Sequence, residues 1–188
     1  MINSRSELNN CLLAEEKLYI ADTGFFGRVK LRFTREYIYT IWRFVKALRH
    51  CEYHLNSGGA MHKVLLAFWR RKKNRLGSIM GIEIHENCFG EGLQIFHGNI
   101  VVNSLVRCGS GCRLHGMNCI GNKGGDDLRV PALGNDIELG VGACILGPVR
   151  IADGCVIGAN AVVLKSAETE GSVLVGIPAE VRGAKDRS

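Results

Sequence analysis

The sequence predicts a mainly β protein in which a parallel β-helix, built from hexapeptide repeats, follows a small α-helical N-terminal region. Two observations support this fold class. Aliphatic residues recur at a strict interval of six in the C-terminal half, and near residue 80 a basic segment with helical periodicity gives way to a glycine-rich one. At 188 residues, one core with a small appendage is expected.

The repeat is clearest between residues 132 and 164. The aliphatic residues in phase there are Leu133, Leu139, Ile145, Ile151, Ile157 and Val163. A helix would repeat its apolar residues every three to four positions and a half-buried strand every two, so a period of six favours short strands separated by turns. Three such hexads close one triangular coil, and stacked coils bury a continuous aliphatic column. The same phase recurs upstream at Val102, Cys108, Leu114 and Ile120.

A polar, glycine-rich segment interrupts the repeat between Ile120 and Leu133. Its sequence, NKGGDDLRVPA, is unsuited to a face of a coil. We therefore predict a loop at residues 122–132 that projects from the solenoid.

The first 80 residues have helical spacing instead. We predict a helix at 5–20 opened by Ser4 or Ser6, a break at Gly24 and Gly27, a second helix capped by Thr34, and a third helix at about 60–76. This region is too small to hold a core of its own, so its aromatic stripes are expected to pack on the first coil or on a neighbouring subunit.

Charge divides the chain at the same place. Residues 1–80 carry 15 Lys and Arg against 6 Asp and Glu, a net charge of +9, whereas residues 81–188 carry 9 against 12, a net charge of −3. The densest basic run, Arg70 to Lys73 with Arg75, fits either a solvated helix end or contact with a membrane face or polyanionic acceptor. No nucleic-acid-binding signature accompanies it.

The resulting domain prediction is a helical region at 1–80, a β-helix at 81–177 and a C-terminal tail at 178–188. The eight cysteines form no CxxC pair and have no metal-ligand spacing with histidine, which indicates packing cysteines in a reducing compartment and no metal site. The N-terminus lacks a secretory pattern and no apolar run is long enough for a membrane helix. A soluble, cytoplasmic protein is expected.

Three segments resemble the hexapeptide-repeat acyltransferases, and in particular serine acetyltransferases and the related O-acetyltransferases of surface polysaccharides. They are GIEIHENCFGEGLQIFHGNIVVN, GNKGGDDLRVP and VGIPAEVRG, within residues 81–183. The resemblance implies a left-handed parallel β-helix, a handedness opposite to ordinary parallel crossovers. It also implies acetyl-CoA as the acetyl donor, no metal, and a homotrimer or dimer of trimers with active sites between subunits.

The resemblance makes His97 the general base, since a histidine before an IVV strand has that role in serine acetyltransferases. Glu83 occupies the place of an aspartate that supports this histidine. His115 follows His97 by eighteen residues, one full coil, so the two imidazoles are expected to stack at the spacing of neighbouring strands. Such stacking would disfavour both rings being charged. His115 fits either a supporting or acceptor-binding residue or a polar corner.

By position, the residues expected to bind acetyl-CoA are Gly121, Asn122, Lys123, Val141, Ala159 and Lys165. Lys165 is suited to a phosphate. The glycine also serves turn geometry.

The acceptor is less clearly indicated. Phe96 and Val130 replace an aspartate and a histidine that help bind serine in the family, and an aromatic side chain beside the base suits a sugar ring. A sugar or surface-polysaccharide precursor is therefore the first expectation and L-serine the alternative. A silent hexapeptide scaffold and a zinc-dependent carbonic-anhydrase-like relative are further alternatives; the six histidines lack the zinc pattern of the latter.

Overall fold

The computed structural model describes residues 1–20, 24–34 and 36–184, which form two compact units, Met1–Met80 and Gly81–Ser188. The predicted tail therefore lies partly outside the described residues, at 185–188. The first unit is helical. Its helices are α1 (Arg5–Ile20), α2 (Phe25–Thr34), α3 (Tyr37–Ser57) and α4 (Ala60–Met80). None of the helices in this described part is long and apolar enough to cross a bilayer.

Helix α1 begins where the sequence predicts. The Ser4 hydroxyl accepts a hydrogen bond from the Glu7 backbone N–H at 3.1 Å, and the Glu7 carboxylate accepts one from the Asn3 N–H at 2.7 Å, which together form a capping box. The hydrogen bond donated by the Asn3 N–H favours the ionised carboxylate and is the main cause that lowers the pKa of Glu7. Of the two serines predicted to open the helix, Ser4 rather than Ser6 is therefore the cap.

The predicted second helix is wrong at its start. Helix α2 continues through Gly27, and Thr34 ends it, with the threonine hydroxyl donating to the Lys30 carbonyl at 2.9 Å. Helix α3 then begins at Tyr37 after an extended Glu36. A helical glycine costs only about 1 kcal/mol relative to alanine, so Gly27 alone does not end a helix.

Helix α3 is the centre of the helical unit. Its buried apolar side chains are Ile41, Trp42, Phe44, Val45, Ala47, Leu48 and Cys51. The buried Arg49 guanidinium lies 2.6 Å from Glu15 on α1 and 2.9 Å from Glu52, so an enclosed ion pair joins the two helices. His50 stacks on Trp69 of α4 with ring centroids 3.9 Å apart.

The second unit is a three-sided parallel solenoid. Its short strands are β1 (Ile82–Glu83), β2 (Gln94–Ile95), β3 (Ile100–Val102), β4 (Arg107–Cys108), β5 (Arg113–Leu114), β6 (Cys119–Gly121), β7 (Ala132–Leu133), β8 (Glu138–Leu139), β9 (Cys144–Leu146), β10 (Arg150–Ile151), β11 (Val156–Ile157), β12 (Val162–Val163), β13 (Ser172–Gly176) and β14 (Ala179–Ala184).

Between β2 and β12, strands that neighbour each other on one face are three apart in sequence order. The three sheets have the orders β1-β3-β6-β9-β12, β4-β7-β10 and β2-β5-β8-β11-β13-β14. All pairs are parallel except β13 with β14, which form an antiparallel hairpin. The predicted boundary at 177/178 therefore divides a hairpin, because β14 belongs to the same sheet as β13.

The predicted hexad positions are the interior of the solenoid. Every one of the ten, from Val102 to Val163, is at least nine-tenths buried. Burying one such aliphatic side chain is worth roughly 1.5–3 kcal/mol, so the repeated column is the main source of stability in this unit.

Candidate active site

His97 lies in an enlarged turn after β2. Ile95 pairs with Leu114, and Val102 pairs with Ile120. The step from Ile95 to Val102 is therefore seven residues, whereas the equivalent step in the next coil, from Leu114 to Ile120, is six. The extra residue lies in the turn that contains His97, whose side chain is exposed.

This extra residue changes the neighbour of His97. The prediction that His97 stacks on His115 is wrong, because β2 and β5 pair with an offset of 19 rather than 18. His115 instead stacks on Phe96, with ring centroids 4.6 Å apart and planes inclined by 19°. His97 lies against Gly116, where an added Cβ would come within 2.7 Å of the His97 Cβ. The geometry thus gives no support to mutual suppression of charge by two stacked imidazoles.

His115 is held by a carboxylate that the sequence did not reveal. Its Nε2 lies 3.0 Å from Glu138 Oε1, and the other carboxylate oxygen of Glu138 lies 2.6 Å from Arg113 Nη2. The pairing of β5 with β8 has an offset of 25 residues because the loop intervenes. Adding the seven extra residues of the loop to the 18 residues of one coil predicts that Glu138 pairs with Arg113 and lies near His115.

Buried Asn118 fixes the turn beneath His97. Its side-chain oxygen accepts a hydrogen bond from the Gly116 N–H at 2.9 Å, and its amide donates to the Gly140 carbonyl at 2.8 Å and the Ala143 carbonyl at 3.3 Å. An amide with these partners locks two successive coils in one register. Asn118 therefore positions Gly116, the residue against which His97 lies.

Glu83 lies on a different face from His115. It pairs in register with Val101 at the start of the five-stranded sheet, and its Oε1 lies 3.6 Å from His85 Nε2. Within one chain this carboxylate is directed to His85 rather than to His97. Both side chains of the pair are largely exposed, so this contact contributes little to stability.

Two of the predicted cofactor residues share an edge of the solenoid with His97. The strand register places Gly116, Val141 and Ala159 at the position equivalent to His97 in the three following coils. Both Val141 and Ala159 are exposed. Since neighbouring strands lie roughly 4.8 Å apart, they are about 10 and 14 Å along the edge from His97.

The other predicted cofactor residues lie at a second edge, after β6, β9 and β12. The register of these strands aligns Asn122 with Gly147 and Lys165. The Lys123 side chain crosses Gly147, where an added Cβ would come within 2.7 Å of its Cε. Lys165 is exposed and Gly121 is buried at the end of β6. One chain thus divides the six predicted residues between two edges.

The predicted loop is present and slightly shorter than expected, because β7 begins at Ala132. Arg129 donates two hydrogen bonds to the Asp127 carboxylate, each 2.9 Å long. Hydrogen bonds from the Arg129 side chain and backbone lower the pKa of Asp127 to about 2. The loop is anchored to the second edge by Asn122, whose amide donates to the Asp127 carbonyl at 3.3 Å.

No group of three or more His, Cys, Asp and Glu side chains arranged to hold a metal occurs among the described residues. The solenoid unit presents an exposed imidazole at His97, a second imidazole held by a carboxylate at His115, one edge with the small residues Gly116 and Ala159, and a second edge with two lysines.

The chain is similar to acetyltransferases over most of its length. It is 39% identical over 132 residues to a serine acetyltransferase of Helicobacter pylori, an alignment that covers 68% of this chain and 76% of the relative. The chain belongs to the serine acetyltransferase-like branch of the hexapeptide-repeat acyltransferases. It is an acetyl-CoA-dependent acyltransferase.

Further comparisons agree with the family. The chain is 36% identical over 98 residues to the colanic acid biosynthesis acetyltransferase WcaB of Escherichia coli, covering 51% of this chain and 59% of the relative. Its fold matches the crystal structure of a serine acetyltransferase from Brucella abortus with a TM-score of 0.72 at 19% identity, covering 98% of this chain and 72% of that one. No model of a protein family matches the sequence.

Proposed function

We propose that this acetyltransferase moves the acetyl group of acetyl-CoA to a hydroxyl group, with His97 as the general base. The main support for the proposal is the composition of the solenoid edge on which His97 lies. An exposed imidazole stands in an enlarged turn, and the same edge continues through the small exposed residues Val141 and Ala159. We place the reaction in the cytoplasm, where acetyl-CoA is available.

The proposed reaction needs no covalent acetyl-enzyme. The acceptor hydroxyl attacks the thioester carbonyl while His97 takes its proton, the C–S bond breaks, and the CoA thiolate leaves and recovers that proton from the imidazolium. A backbone N–H would stabilise the negative oxygen. Four of the six cysteines of the solenoid unit, Cys88, Cys108, Cys112 and Cys155, are buried and therefore unsuited to act as nucleophiles.

The division of residues between two edges favours a site shared by neighbouring subunits. In a homotrimer of left-handed solenoids, the edge with His97, Val141 and Ala159 would face the second edge of a neighbour, with its Asn122, Lys123 and Lys165. Acetyl-CoA would lie in the groove between them, with a lysine near a phosphate and small residues beside the pantetheine arm. Glu83 would orient a histidine across that interface.

The relatives favour L-serine as the acceptor. One relative, 39% identical to the chain over 132 residues, is a serine acetyltransferase. The first expectation of a sugar therefore becomes the second candidate. Two observations favour a sugar. The Phe96 ring, stacked on His115 beside His97, offers an aromatic surface on which a sugar ring can pack. The relative WcaB is named for colanic acid biosynthesis.

A CoA-release assay tests both the chemistry and the acceptor. Wild-type protein, His97→Ala and the matched control His85→Ala would be supplied with acetyl-CoA and either L-serine or a panel of sugars. Loss of a general base lowers kcat by about 10²–10⁴-fold, so His97→Ala should be nearly inactive while His85→Ala retains most activity. Equal CoA release by wild type and His97→Ala would indicate that a residue other than His97 is the base. Turnover of sugars but not of serine would reverse the order of the two acceptors.

A further inference from the structure

The basic run of α4 does not end its helix. The sequence allowed Arg70 to Lys73 to be a solvated helix end, but α4 continues to Met80 and its last turn contains no basic residue. The dipole at the helix C-terminus therefore does not account for these cations, because its effect is confined to the last turn. Another role has to be sought for them on the side of α4.

Three of these cations line a groove between α4 and the first turns of α3. The groove has a volume of about 620 Å³ and contains Arg71, Lys72 and Arg75 of α4 together with Arg43 of α3. None of the described residues that line it is acidic. Four cations thus face one concave surface without a carboxylate among them, an arrangement that attracts an anion.

The electrostatic cost of this arrangement is visible at Lys72. Burial, Arg43 and Lys46 lower its pKa, in that order of importance. The ammonium lies 4.5 Å from the centroid of the Trp69 ring, which partly offsets the repulsion. A bound anion would relieve it directly.

The remainder of the groove is apolar. Leu76 and Met80 are buried at its floor, with 6% exposure each, whereas Phe68 and Ile79 are exposed by 61% and 70%. Large apolar side chains this exposed next to a cluster of cations form an amphiphilic surface. A free inorganic anion would leave these apolar residues in water.

We propose that this groove of the helical unit binds an anionic membrane phospholipid. The phosphate lies among the guanidinium and ammonium groups, and the first part of the hydrocarbon chain lies against Phe68 and Ile79. Charge complementarity favours an anionic phospholipid in the groove. The same groove of a second chain is disfavoured, because it would bring the cations of the two chains together. A nucleic-acid backbone would satisfy the cations but leave the aliphatic surface exposed.

The consequence is a peripheral attachment to an anionic bilayer that does not require a membrane-spanning helix. Basic residues near an anionic bilayer and apolar residues at its boundary strengthen binding together. The groove lies in the helical unit and contains none of the residues proposed for acetyl transfer, so this inference and the proposed function can fail separately.

Vesicle flotation with the full chain tests the proposal. Vesicles of phosphatidylglycerol mixed with phosphatidylcholine are compared with vesicles of phosphatidylcholine alone. The wild type should bind only the anionic vesicles, and the variant Arg71→Gln/Lys72→Gln/Arg75→Gln should bind them at least about tenfold more weakly. The variant Phe68→Ser/Ile79→Ser, with its charge unchanged, should also bind more weakly.

The matched control removes three exposed cations outside the groove, in the variant Lys30→Gln/Arg32→Gln/Lys63→Gln. It should bind nearly as well as the wild type, and both triple variants should release CoA at the wild-type rate with a soluble acceptor. If the two triple variants bind anionic vesicles equally weakly, net charge alone accounts for the attraction and the proposal that the groove is the binding site is wrong. Binding to pure phosphatidylcholine, no binding to either vesicle, complete displacement by inorganic phosphate, or self-association through this face would overturn it as well.

Discussion

At the scale of single residues, the site depends on one additional residue in one turn. The hexad phase correctly predicts which aliphatic side chains are buried, because burial repeats with the strands. It does not predict where a turn contains seven residues instead of six, since an exposed turn imposes no apolar pattern. That extra residue in the turn from Ile95 to Val102 moved His115 beneath Phe96 and left His97 against Gly116.

Gly116 offers a test at this scale. Its φ is +111°, and a Cβ would meet the Cβ of His97, which cannot rotate away. We expect Gly116→Ala to destabilise the solenoid by ~1–3 kcal/mol from backbone strain and to lower CoA release by displacing the imidazole. Guanidinium unfolding and the CoA-release assay measure the two effects.

The control is Gly183→Ala, at a position where an added Cβ meets nothing within 4 Å and φ is not positive. This variant should resemble the wild type in both measurements. Unchanged activity and stability in Gly116→Ala would contradict the close packing of His97 on Gly116.

At the scale of elements, the helices were predicted less well than the strands. Helices α1 and α4 follow from apolar spacing and a serine cap, and α4 extends only four residues beyond the predicted end. The sequence does not predict helix α2, because Gly24 and Gly27 suggest a break there and because its apolar residues Phe26, Val29 and Phe33 are exposed in the structure. The spacing of apolar residues in a sequence indicates which side chains are buried. A helix that buries few side chains is therefore difficult to predict from that spacing.

The contact between α3 and α4 should weaken in acid. Burial, followed by Lys46, His54 and Lys72, lowers the pKa of His50 to about 4. The unfolded chain therefore binds a proton at this residue near pH 6.5, whereas the folded chain does not until about pH 4. The contribution of His50 to the free energy of unfolding is constant above about pH 6.5 and decreases as the pH falls from about 6.5 to 4. The total decrease is ~1–2 kcal/mol after allowance for the partial exposure of the ring.

Tryptophan fluorescence can follow this change, because both tryptophans, Trp42 and Trp69, lie in the helical unit. Unfolding midpoints in urea would be compared at pH 7.5 and 5 for the wild type and His50→Gln. The variant should lose less stability on acidification, with a remainder from His54, whose pKa is also lowered. An identical pH dependence in the two proteins would contradict the assignment to His50.

At the scale of the whole molecule, sequence predicted the solenoid, its loop and the family, and the comparisons confirmed the family. What it could not predict is which edges of the solenoid carry which residues. Residues far apart in the sequence reach one edge only through strand register, and register across the loop is set by its seven additional residues. The structure divides the proposed site between two edges, which is why the proposal requires a neighbouring chain.

The most direct test of this central claim is complementation between two inactive variants. One chain would carry His97→Ala, at the first edge, and the other Lys123→Ala/Lys165→Ala, at the second edge; the two would be co-expressed in equal amounts. If the site is shared by neighbours in a closed trimer, random assembly restores about a quarter of wild-type CoA release, because each mixed trimer contains one intact site. If each site belongs to a single chain, every site keeps one defect, and the mixture would be no more active than the separate variants.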